Sequence, residues 1–147
     1  MIDSRTAPYA ALVLRVTLGA LLLAHASLKL FVFTPAGTAK FFGSLGFPPE
    51  LAYLVITVEV LSGIALILGV WTRYAALAAI PILLGAIFTV HGAAGFFFSN
   101  PQGGWEFPAF WAIALAAQAL LGDGAYALRP SRQDAAVGGQ LSGAHSR

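Results

Sequence analysis

With 147 residues, 59% of them hydrophobic and 10% charged, the chain falls well below the charged share of about 25% usual in soluble domains. Its Asp, Glu, Lys and Arg side chains are too few to clothe a small water-soluble fold, and a bilayer removes that need. The net charge of +2 is dispersed over Arg5, Arg15, Lys29, Lys40, Arg73, Arg129, Arg132 and Arg147, so no basic run tracks a phosphate backbone and nucleic acid is excluded as a partner. The absence of cysteine excludes thiolate catalysis, cysteine-ligated clusters and covalent haem attachment.

A spanning helix needs about 20 mostly apolar residues. Four segments qualify in chain order: Tyr9 to Phe31, Leu51 to Val70, Tyr74 to Phe98, and Phe107 to Leu121, the shortest. The expected fold is an all-α membrane protein, a four-transmembrane-helix antiparallel bundle over residues 9–128. A short N-terminal stretch, 1–8, precedes it, and a disordered tail rich in Ser, Gly, Ala and Gln, 129–147, follows.

Punctuation agrees with that division. Thr34-Pro35-Ala36-Gly37 ends the first helix, and Pro48-Pro49-Glu50 begins the second. Gly69 to Arg73 is a tight hairpin, Ser99 to Gly104 is turn-rich, and Gly122-Asp123-Gly124 stops the fourth helix. Ala24-His25-Ala26 imitates a signal cleavage site. Arg15 inside the apolar run, and the continuation of that run through Phe33, argue against removal. Arg5, Arg73, Arg129 and Arg132 fall on one side, which places both termini and the hairpin in the cytoplasm. Trp71, Tyr74, Trp105, Phe107 and Trp111 lie near helix ends and read as interfacial anchors.

Ionisable groups at membrane depth carry the functional signal, because an isolated charge there costs roughly 2.5–3.5 kcal/mol and normally turns inward to a partner. Glu59 lies near the midplane of the second helix, and His91 lies on the third. On the first helix, Arg15, His25 and Lys29 share an arc of about 80°. His25, Lys29, Glu59, His91 and Glu106 could gather in the outer half of the bundle, with Arg15 alone toward the inner end. One reading is structural: Glu59 pairs with Arg15 or Lys29 and fixes helix register. The other is a polar pocket or proton-handling site. Two histidines on different helices are also the minimum for a b-type haem, a weaker reading because the first and third helices of an up-and-down bundle lie diagonally. No metal site is expected.

The order and spacing of several short motifs resemble the DoxX family of small four-helix membrane proteins. The motifs are Arg15, His25-x-x-x-Lys29, Leu45-Gly-Phe-Pro-Pro49, Glu59-x-x-x-Gly63, Leu68-Gly-Val-Trp-Thr-Arg73, His91, Gly103-Gly-x-Glu106 and Gly122-Asp-Gly124; the family's His-Gly is His25-Ala26 here. The resemblance implies a bacterial inner-membrane protein and a place in a quinone-linked oxidoreductase system handling thiosulfate, thiols or oxidative stress, beside a partner redox subunit. It points to a quinone as cofactor ahead of haem b. Glu59 and His25 then stand as catalytic proton partners, with Arg15, Lys29, Arg73, His91 and Glu106 as pocket or ion-pair residues. Two other classes remain open: a small-solute or lipid carrier, which at this size needs at least a homo-oligomer, and a non-catalytic assembly factor.

Overall fold

A computed structural model describes residues 3–130, in which the ordered elements are helices. Helix α1 (Ala7–Ser27) starts with Pro8 in its first turn, where a missing N–H costs nothing, and runs on through a π turn, Leu28–Val32. Helix α2 (Pro35–Ser44) is short. Helix α3 (Leu51–Leu68) ends at Gly69 in a left-handed cap. Helix α4 (Thr72–Ala86) carries Pro81 on an exposed face and continues through a second π turn, Ile87–His91, and a 3-10 turn, Gly92–Ala94. Helix α5 (Glu106–Leu121) completes the set.

Three of these are long and apolar enough to cross a membrane: Ala7–Val32, Leu51–Leu68 and Thr72–Ala94. At 16 residues α5 is about 24 Å long, short of a hydrocarbon core of about 30 Å. Helix α2 falls where a plain loop was expected. The Thr34-Pro35 pair that ends one helix also starts the next: Thr34 Oγ1 accepts the Gly37 N–H at 3.1 Å, and Pro35 presets the first turn. The expected tail lies outside the described residues from 131 onward. The first residue of that expected tail is ordered instead, a correction of its boundary: Arg129 pairs its backbone with Gly69 and Val70 and sets its guanidinium over the Trp71 ring.

The long helices and α5 pack in a closed ring, α1 on α3, α3 on α4, α4 on α5 and α5 back on α1, which leaves α1 and α4 diagonal. Small residues set the closest approaches. A methyl group on Gly19 would lie 2.7 Å from the Gly63 carbonyl oxygen, so the backbones of α1 and α3 touch there. Ala75, Ala76 and Ala79 bring α4 close to α5 around Leu115 and Trp111. Outward-facing Phe31, Phe88 and Leu120 are each more than 80% exposed, a surface made for acyl chains rather than water. The Gly69–Trp71 turn marks one end of the bundle, the hairpin end; α2 and the α4–α5 connection mark the other, the loop end.

Candidate functional site

In the loop-end half of the bundle, Glu59 is 4% exposed and both its carboxylate oxygens lie 2.9 Å from Lys29 Nζ. The pairing follows from geometry. Lys29 stands in the π turn that prolongs α1, and Glu59 stands on the face of α3 that also carries the buried Ile56, Ser62 and Gly63. Inserting a fifth residue into a turn rotates the side chains that follow it, and such turns recur at functional sites. One ammonium facing two carboxylate oxygens balances charge in a medium that offers no water to do so.

His25 stands one turn before Lys29. Its Nδ1 lies 3.0 Å from the Leu21 carbonyl oxygen, which leaves Nε2 as the nitrogen able to meet a ligand. Against this ring lies the indole of Trp111, with ring centroids 4.8 Å apart. Trp111 is 4% exposed, and its Nε1 is buried with no hydrogen-bond partner among the described residues. A buried indole N–H normally finds an acceptor, and leaving it unused is costly. Reading Trp111 as an interfacial anchor is thereby corrected. Its register was the missed signal: Trp111, Leu115 and Gln118 follow one another at four and three residues, the buried stripe of α5.

The remaining expected site residues are dispersed. Arg15 is 1% exposed and does not pair with Glu59. Its Nη1 donates to the carbonyl oxygens of Leu66 (2.9 Å) and Ile67 (2.6 Å), and its Nη2 donates to that of Ala125 (2.9 Å). A guanidinium thus closes the C-terminal end of α3, where free carbonyls and the helix dipole favour a cation, and ties to it the segment after α5. Buried Asp123 attracts the same guanidinium. Arg73 belongs to this end as well, because a methyl group on Gly122 would lie 3.3 Å from its Nη2. Gly122-Asp123-Gly124 is therefore more than a helix stop: it begins a strap whose Ala125 N–H reaches Pro8 and whose Leu128 N–H reaches Leu68.

At the loop end, His91 Nδ1 lies 2.8 Å from the Gly103 carbonyl oxygen, and Glu106 Oε1 accepts the Phe98 N–H at 2.7 Å. Both serve the α4–α5 connection. Diagonal helices and separate backbone partners give His25 and His91 different tasks.

A bundle of apolar helices closing on a buried acid, with a half-buried base and imidazole beside it, defines a helical membrane protein with a polar interior site. The chain belongs to the DoxX family, whose match covers residues 10–92, and is an integral membrane protein. Arg15, His25, Lys29, Glu59, Arg73 and His91 fall inside the matched region; Glu106, Trp111 and Asp123 fall beyond it. A curated relative, "Putative oxidoreductase CatD" of Bacillus subtilis (strain 168), is 35% identical over 79 residues, which make up 54% of this chain and 58% of that protein. The chain thus spans little more than half the length of the relative it matches. No solved structure matches the chain.

Proposed function

We propose that the protein is the membrane subunit of a quinone-linked oxidoreductase in the bacterial inner membrane, its hairpin end facing the cytoplasm. The single observation that carries this reading is the unpartnered indole N–H of Trp111 beside His25, one helical turn from the Lys29–Glu59 pair. The donor set fits a quinone: an indole N–H and an imidazole nitrogen for carbonyl oxygens, an aromatic wall for the ring, and a carboxylate–ammonium pair for protons.

A bound quinone supplies a couple of two electrons and two protons, the electrons arriving from a partner redox subunit. The chain's own residues do the rest. Trp111 donates to a carbonyl oxygen and fixes its position. His25 holds or gives a proton at Nε2, and Glu59, once it has taken up a proton from the aqueous side, is the carboxyl group that refills it and returns to the carboxylate. Lys29 balances the Glu59 charge while that proton is absent, so the site never leaves an isolated anion in the membrane. Arg5, Arg73 and Arg129 at the hairpin end support the orientation, and the oxidoreductase name of the relative supports the class.

The test uses Trp111 as its own reporter. With Trp71 and Trp105 replaced by Phe, a short-chain quinone should quench the remaining fluorescence saturably, and His25→Ala or the double change Lys29→Gln with Glu59→Gln should weaken that binding at least tenfold. Quenching that never saturates, or that is unchanged in both variants, removes the site.

A further inference from the structure

Depth alone does not say which aqueous phase the Lys29–Glu59 pair faces. Glu59 stands eight residues from the first residue of α3 and nine from its last, about 12 Å from the loop end and about 14 Å from the hairpin end. What fills each route decides.

Toward the hairpin end the filling is apolar. Ser62 lies one turn beyond Glu59; around and below it, Leu18, Leu22, Leu66, Ala76, Ala79 and Leu115 join in one cluster drawn from α1, α3, α4 and α5. All but Leu18 are 1% exposed or less. The backbones of α1 and α3 touch at Gly19 and Gly63, which shuts the seam between them. An apolar, close-packed interior holds no chain of water to carry a proton. The buried polar side chains Arg15, Gln118 and Asp123 stand beyond this cluster, against the strap, and Thr72 opens α4 beside the hairpin turn. The strap itself crosses from Pro8 to Leu68.

Toward the loop end the route is lined by Lys29. Because α1 and α3 run in opposite directions past the Gly19–Gly63 contact, Lys29, ten residues further along α1, starts level with Tyr53 in the first turn of α3. That is the margin of the bundle. Glu59 is six residues deeper, so the two side chains together bridge about 9 Å to bring Nζ to both carboxylate oxygens. Those bonds use two of the three ammonium N–H groups, and the third has no acceptor among the described residues. The Lys29 side chain is 21% exposed. Acyl chains offer nothing to an ammonium, so its open margin is a place for water. Other ionisable groups at this end are engaged elsewhere or turned outward: His91 of α4 meets the Gly103 carbonyl, Glu106 of α5 takes the Phe98 N–H, and Lys40 of α2 is exposed. His25, level with Thr57 by the same count, is the remaining titratable group near the pair.

We infer that this site exchanges protons with the loop-end aqueous phase alone. The Lys29 ammonium and the water it holds form the path to Glu59 and His25, and the apolar cluster beneath the strap is the barrier against the opposite side. This sidedness belongs to the pair whatever ligand the bundle takes. One consequence rests on the quinone reading: both protons of the quinone couple then pass at the loop end, whichever end delivers the electrons.

The Trp71→Phe, Trp105→Phe protein keeps Trp111 as its one indole, and a protonated His25 ring in contact with it quenches its emission. The chain has no cysteine, so a single one at Gln102→Cys or Arg5→Cys, both exposed, lets a thiol resin collect vesicles that hold one protein each with loop end or hairpin end outward. With no quinone present, an acid step in the outer medium should lower Trp111 emission at once in the first set, and in the second set only after a proton ionophore is added. A prompt loss in both sets, or in the second alone, overturns the inference. Emission that ignores the step in both sets, ionophore included, overturns it as well, because no proton then reaches His25. Quinone plays no part in these readings, so their failure is distinct from that of the quenching test above.

Discussion

Arg15 and Lys29 stand on one continuous helical run as cations, the first buried and the second half-buried, yet their partners differ in kind. Arg15 binds main-chain carbonyls of α3 and of the strap after α5, groups that cannot titrate or swing away. Lys29 binds a carboxylate through two flexible side chains and keeps company with an imidazole and an unused indole donor. A cation tied to carbonyls holds a fold together, whereas a cation tied to an acid leaves a proton acceptor whose charge can change. On the proposed function, the hairpin end is the scaffold of this protein and the loop-end half carries its chemistry.

That division can be broken most severely at Arg15. Arg15→Met removes the guanidinium from the Leu66, Ile67 and Ala125 carbonyls, and should cost on the order of 3–5 kcal/mol, read as a lost folded fraction in detergent unfolding titrations. Arg15→Lys should rescue little, because one ammonium cannot reproduce a planar fork across two chain segments. If either variant unfolds like the wild type, the hairpin end is not the scaffold.

The opposite pattern is expected at the ion pair. Glu59→Gln alone should destabilise by about 3 kcal/mol by leaving Lys29 uncompensated, and adding Lys29→Met should recover most of that loss. Stability returns in the double variant but quinone binding does not. Recovery of both would make the pair a packing device, and recovery of neither would make it a scaffold like Arg15.

Two smaller changes sharpen the contrast. Gly69 has φ +69°, and a β-carbon there would lie 2.9 Å from Arg15 Cζ, so Gly69→Ala should cost about 2 kcal/mol while leaving the Trp111 signal unchanged. Thr34→Ala removes one helix cap at the loop end and should cost about 1 kcal/mol in the same titration.

How far the sequence revealed this arrangement depends on the residue. The positions of α1, α3, α4 and α5 followed from apolar run length, because the bilayer imposes one scale on every span, whereas the short α2 was not visible that way. Glu59, Lys29 and His25 stood out because an ionisable group in an apolar helix is conspicuous and angular register says which groups share a face. Trp111 was hidden by its own chemistry, since a tryptophan near a helix end suits the interface as well as the interior, and only packing decides between them. The partners of Arg15 were invisible for another reason: they are backbone carbonyls, which every residue carries and no sequence distinguishes. The end of the third span was hidden in the same way, because Phe96 to Phe98 extend an apolar run and look like helix until the glycines at 95 and 104 fold them back.

The central claim is that Glu59 exchanges a proton when the site works. Redox-triggered infrared difference spectra of the reconstituted protein with a quinone report it directly. A carboxyl carbonyl band should appear between the oxidised and reduced states, and it should vanish in Glu59→Gln while persisting in Gly69→Ala. A difference spectrum with no carboxyl band, or one unchanged by Glu59→Gln, would contradict the account.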